Sequence, residues 1–210
     1  MEIPSSSTSS SSEVNDIAKP RMYADVNVNN PDIFKTPEHR DFSWTNMDQY
    51  EWCTLLGTGA FSDVYIARKR RSLMNKEYAL KIAKPDFEVY LLKELKFMYH
   101  MGKNNRIPKL VHPMAWIKNS KLTLGMLLEM PSKETLESIE ESLTHLENQH
   151  YLYQILEGLN FCHSKGIMHR DVKPDNIIVN RRRRKAYLID WGSAEFYLPR
   201  KYYDTHVGSR

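Results

Sequence analysis

Two glycines, Gly57 and Gly59, and the residues just after them decide much of what this chain can fold into. They sit in Leu56-Gly57-Thr58-Gly59-Ala60-Phe61-Ser62-Asp63-Val64-Tyr65. Glycine lets a backbone turn tightly and approach an anion with no side chain between. A dinucleotide-binding fold needs a helix directly after such a turn. Here Val64-Tyr65-Ile66-Ala67 runs on as a strand. The GxxxxGK[ST] pattern of the other common phosphate loop is absent. The run therefore predicts a glycine-bearing hairpin that can cover phosphates. Read alone, it is equally a plain loop.

The pattern around this hairpin predicts an α+β fold in two lobes. Tyr78, Leu80 and Ile82 alternate with Ala79 and Lys81, the period of a half-buried strand, within a strand-rich stretch over 51–83. Phe87, Tyr90, Leu91, Leu95 and Met98 fall at spacings of three and four, which predicts a helix over 86–101. A strand pair is expected around 109–130. Leu152, Ile155, Leu156 and Leu159 predict the buried face of a long helix that ends near Gly166. Short strands are expected at Ile177–Val179 and Ala186–Ile189. The organisation read from this is a serine-rich arm over 1–17, an irregular lead-in over 18–50, a β-rich lobe over 51–130 and the start of a helical lobe over 131–210. Residues 4–12, PSSSTSSSS, hold no apolar residue, so disorder is expected there.

Composition closes off several classes of function. No run of about 18 apolar residues is present, so no membrane span is expected. Cys53 and Cys162 make no disulfide framework and no CxxC metal pair, and the chain reads as intracellular. A net charge of +4 is too mild to announce nucleic-acid binding, and nucleic acid is not an expected partner.

Two further groups carry chemistry. Lys81, on a strand, has Glu94 thirteen residues on, in the next predicted helix. A lysine on the inward face of a strand is costly unless paired, so a Lys81–Glu94 ion pair touching nucleotide phosphates is one reading. An exposed edge lysine and a solvated glutamate is the other. The second group is His169-Arg170-Asp171-Val172-Lys173-Pro174-Asp175-Asn176, with Asp190-Trp191-Gly192 further on; Asp190 stands nineteen positions after Asp171. Phosphoryl transfer needs a carboxylate to orient the attacking hydroxyl, for which Asp171 is the candidate. It needs a cation near the moving phosphate, which points to Lys173. It needs oxygen ligands for magnesium, for which Asn176 and Asp190 qualify.

These motifs resemble those of the eukaryotic protein kinases, and more narrowly those of casein kinase 2 catalytic (alpha) subunits. The narrower resemblance rests on Trp191 where most kinases have phenylalanine and on the stretch Leu188–Tyr197. It rests also on Cys162–Asp171, on Arg21–Asn27, and on Ser62 in place of a third loop glycine. It covers about residues 18–210. It implies transfer of the γ-phosphate of ATP or GTP, with Mg2+, to serine or threonine in acidic contexts. It implies that Leu56, Gly57, Thr58, Gly59, Ala60, Phe61, Ser62, Asp63 and Val64 cover the nucleotide. Ala79, Lys81, Glu94, Ile178 and Ile189 would line its slot, with a hinge at Glu129, Met130 and Pro131. It implies that residues 20–50 hold the enzyme active without phosphorylation. It implies a regulatory beta subunit in a tetramer of two alpha and two beta chains, docked on an outer sheet face with Tyr50, Trp52, Tyr65, Leu80 and Ile82. It implies a place in cytoplasm and nucleus.

The sequence also departs from that family. The lysine-rich run that reads acidic substrates is here Pro85-Asp86-Phe87-Glu88-Val89-Tyr90-Leu91-Leu92-Lys93. His206 stands at a substrate-contacting arginine, while its neighbour is kept as Arg210. Basic runs stand instead at Arg68–Arg71 and Arg181–Lys185, both expected in solvated turns, with polyanion contact as the other reading. The sequence given ends at Arg210, inside the activation segment, so a fragment or an incomplete kinase that acts only by binding a partner is the competing expectation.

Overall fold

The computed structural model describes residues 22–29 and 42–203. The serine-rich arm, His206 and Arg210 lie outside them. Five strands form one antiparallel sheet: β1 (Tyr50–Thr58), β2 (Ser62–Lys69), β3 (Glu77–Ala83), β4 (Leu110–Lys118) and β5 (Lys121–Glu129). Their order is β1-β2-β3-β5-β4. A short helix α1 (Val26–Asn29) precedes them, and α2 (Glu88–Met101) joins β3 to β4. Beyond the sheet come α3 (Leu136–Ile139), the long α4 (His145–Ser164), β6 (Ile167–Met168), the hairpin β7 (Ile177–Asn180) and β8 (Lys185–Leu188), and β9 (Glu195–Phe196), which pairs with β6. The α+β arrangement expected from the pattern is the one observed.

Alternation along β3 sends its residues to two cores. Leu80 is fully buried with Tyr50, Ala67, Met114 and Leu127, flanked by half-buried Tyr78 and Ile82. Ala83 faces the opposite way and joins Leu91 and Leu95 of α2. Lys81, two residues earlier, shares that face and so looks at α2. Tyr50 and Leu80 of the expected outer docking face are therefore core, whereas Trp52, Tyr65 and Ile82 stay half-exposed.

Two helix faces differ from expectation. In α2, Leu91, Leu95 and Met98 are buried, but Tyr90, and Phe87 just before the helix, are not; their rings meet at a tilt outside the core. In α4 the buried stripe is Tyr151, Ile155, Gly158 and Cys162, while Leu152 and Leu156 are exposed. Both stripes have helical period, and the one that wins faces β8, where α4 packs. Thr144 caps α4, accepting from the Glu147 N–H while Glu147 accepts from Thr144.

The lead-in is anchored at two places. Asn27 is buried and its side-chain amide donates to Gly166 O and Tyr197 O, both at 2.7 Å. Gly166 holds φ at +67°, and a Cβ there would stand 2.2 Å from Asn27 Oδ1, so glycine is required on both counts. Phe42 packs edge-on against Tyr99 of α2 at 5.8 Å.

Candidate active site

Strand register assembles the first half of the site. Val64 on β2 pairs with Lys81 on β3, and Gly57 on β1 pairs with Val64. The glycine turn thus overhangs Lys81. Gly59 N–H donates to Ser62 O at 2.8 Å and closes the turn. A side chain on Gly57 would meet nothing of the protein within 4 Å, so its bareness leaves room for something approaching from the cleft.

Lys81 Nζ lies 2.6 Å from Glu94 Oε2 and 2.7 Å from Asp190 Oδ1. Burial alone would discharge this lysine. The two carboxylates outweigh it and hold the pKa above the usual lysine value. Asp190 is held below its ordinary value: burial opposes this, but the Lys81 charge and hydrogen bonds from Lys81 and the Gly192 N–H prevail. Glu94 is buried, which pushes its carboxyl upward against the pull of Lys81. Its Oε1 accepts from the Trp191 N–H at 3.1 Å, so α2 and the Asp190–Gly192 turn are tied directly together.

The second half is built by the β7–β8 hairpin. Ile177 pairs with Leu188, and Ile189 N–H donates to Asn176 O at 2.9 Å. This brings Asn176 and Asp190 to one end of the hairpin. The Asn176 amide donates to Asp171 O at 2.8 Å and to Asp171 Oδ2 at 2.9 Å. Lys173 Nζ lies 3.3 Å from Asp171 Oδ2. His169 fixes the loop: its Nε2 bonds Ile189 O at 2.9 Å and its Nδ1 accepts from Asp171 N–H at 3.2 Å. Only the neutral ring with its proton on Nε2 satisfies both, and burial lowers the pKa accordingly. Arg170 and Asp190 both hold positive φ, at 70° and 63°, a backbone cost carried at the site.

A protein kinase domain matches residues 50–210. The chain belongs to the protein kinase family. The matched family implies ATP and a divalent metal. The kinase's oxygen donors fit a hard cation: the Asn176 amide nitrogen is already used, which leaves its carbonyl oxygen, and Asp190 is 44% exposed with only one oxygen on Lys81.

The remaining expected residues are placed less tightly. Leu56 is exposed, and Val64, Ala79, Ile178 and Ile189 are half-buried. Glu129 N–H donates to Lys109 O, and its carboxylate lies 3.6 Å from Lys76, so its side chain belongs to a groove lined also by Met130, Pro131 and Lys133. Asp63 faces Lys84 at 3.6 Å. Thr58, Gly59, Ala60 and Phe61 are exposed at the loop tip, while Ser62 is buried.

One residue escaped the sequence reading. Glu195 on β9 pairs with Arg170, the neighbour of Asp171, and with Lys201. The only sequence signal was an acidic residue five positions after Asp190, together with an arginine directly before Asp171.

Proposed function

We propose that this kinase transfers the γ-phosphate of ATP, or of GTP, to serine or threonine, as casein kinase 2 catalytic subunits do. The observation that carries the reading is the Asp171–Lys173–Asn176 cluster beside the Lys81–Glu94–Asp190 triad. Asp171 accepts the hydroxyl proton of the acceptor and orients its oxygen. Lys173, beside that carboxylate, places a positive charge where negative charge accumulates on the moving phosphoryl group. Lys81 contacts the nucleotide phosphates while Glu94 holds it in position. Asn176 and Asp190 would hold Mg2+, which would supply positive charge to neutralise the phosphates.

Activity without activation-segment phosphorylation belongs to the same proposal. The Arg170–Glu195 pair supplies from within the chain a negative charge beside the catalytic loop, and Asn27 ties the lead-in to Gly166 and Tyr197. Acidic sites are the substrate class, read less strictly than in lysine-rich relatives, because Asp86, Glu88 and apolar residues stand in place of much of the basic cluster. A regulatory beta subunit on the sheet face bearing Trp52, Tyr65 and Ile82 is the proposed partner.

Radiolabelled ATP, the protein and an arrayed peptide set test this together. Label on serine and threonine, favoured by acidic neighbours but roughly tenfold less steeply than in a lysine-rich relative, and unchanged by phosphatase pretreatment of the enzyme, supports the reading. Label on tyrosine, or indifference to acidic residues, contradicts it.

A further inference from the structure

The site has an attachment that the phosphoryl-transfer reading does not use. At the tip of the glycine turn, Phe61 lies flat on Tyr90 of α2, ring centroids 4.0 Å apart and planes 1° from parallel. Phe87, just before α2, closes the cluster at 5.3 Å from Phe61 and 6.0 Å from Tyr90. Lys84 reinforces it from below: its Nζ donates to Gly59 O at 2.7 Å, and its N–H donates to Phe61 O at 3.0 Å. The loop tip is therefore held to the β3–α2 junction by ring stacking and by two hydrogen bonds.

The cleft beneath is small. The cavity between the turn and Lys81, Glu94 and Asp190 measures about 70 Å3. Small-molecule sites run to roughly 300–1,000 Å3, so with the tip down this end of the cleft offers only a fraction of the room that a whole nucleotide takes. The three rings are also partly exposed, at 42% for Phe61, 36% for Phe87 and 39% for Tyr90, so the stack can part without disturbing either core.

We infer that Phe61, Phe87 and Tyr90 form an aromatic latch that holds the glycine turn down over the cleft and must open before nucleotide enters, with Tyr90 and Phe87 as positioning residues for that step. This rests on the phosphoryl-transfer reading of the site. Nucleotide binds the open form, so its apparent affinity is reduced by the open fraction. A stacked ring pair is worth a factor of roughly 2–10 in such an equilibrium. Loosening the latch raises the open fraction by that factor, and the association rate rises with it. Dissociation from the open form is unchanged.

Stopped-flow binding of a fluorescent ATP analogue to the full protein with magnesium tests this. Tyr90→Ala is expected to raise the association rate constant roughly 2- to 10-fold at constant dissociation rate. Phe87→Ala has a smaller effect, and Tyr90→Phe, which keeps the ring, matches wild type. Thermal unfolding of each variant checks that α2 is intact. An association rate unchanged in Tyr90→Ala, or a gain shared equally by Tyr90→Phe, overturns the latch. A faster association in Tyr90→Ala with no transfer in any variant would instead overturn the transfer reading and leave the latch standing. Failure of wild type to bind nucleotide overturns both.

Discussion

Glu94 makes two separable contributions, and Glu94→Gln against Glu94→Ala divides them. Its Oε2 pairs with Lys81 and its Oε1 accepts from the Trp191 N–H. Removing one partner of a buried ion pair costs about 3–5 kcal/mol when the other charge is stranded. Lys81 is not stranded, because Asp190 remains 2.7 Å away, so loss of the charge alone should cost about 2–3 kcal/mol, at or below the foot of that range. Glutamine keeps an amide oxygen for the Trp191 N–H, and alanine does not. An orphaned buried donor costs a further roughly 1–3 kcal/mol. Urea unfolding of wild type and both variants measures these differences. Each kcal/mol should also move the thermal midpoint by about 2–4 °C for a chain of this size. Equal stability of the glutamine and alanine variants would refute the role given to the Trp191 N–H. Wild-type stability in both would refute the buried pair.

Burial lowers the pKa of His169, and of His100 and His163 with it. Below about pH 6.5 the unfolded chain takes up protons that the folded one refuses, so stability should fall as pH drops from 6.5 through the folded values. Unfolding midpoints across pH 7.5 to 5 check this, and the slope should be shallower in His169→Gln; the Asp190 contribution disappears only at still lower pH, below the ordinary aspartate range. Asn27→Ala removes the side-chain donor from Tyr197 O and from Gly166 O, of which Gly166 O keeps the Tyr197 N–H, and should destabilise by roughly 1–3 kcal/mol and cut turnover, read by urea unfolding and a kinase assay; activity at wild-type level would show that the lead-in does not support the site.

Much of this fold could be read in the residues because its signals are local. The alternation of Tyr78, Leu80 and Ile82, the period of α2 and the turn at Gly59 each fall within a single element. Lys81, Asp171, Asn176 and Asp190 were legible because their spacing in the chain is itself the motif. What was hidden depended on contacts between distant elements. In α4 two stripes carry apolar residues at helical spacing, and only packing on β8 chooses Tyr151 and Ile155 over Leu152 and Leu156. Phe87 and Tyr90 satisfy the helical period yet meet Phe61, which lies on another strand turn, instead of the core. Glu195 gains its meaning only when β9 pairs with β6 and sets it against Arg170.

The proposed chemistry depends above all on Asp171 orienting the acceptor hydroxyl within a cluster completed by Lys173 and Asn176. Single-turnover phosphoryl transfer by Asp171→Asn, at saturating ATP and magnesium, isolates that step. The amide keeps the size of the group and its contact with Asn176 but cannot take a proton. The transfer rate should fall by about 10²–10⁴-fold, with nucleotide affinity unchanged. A loss of less than tenfold would contradict the role given to Asp171.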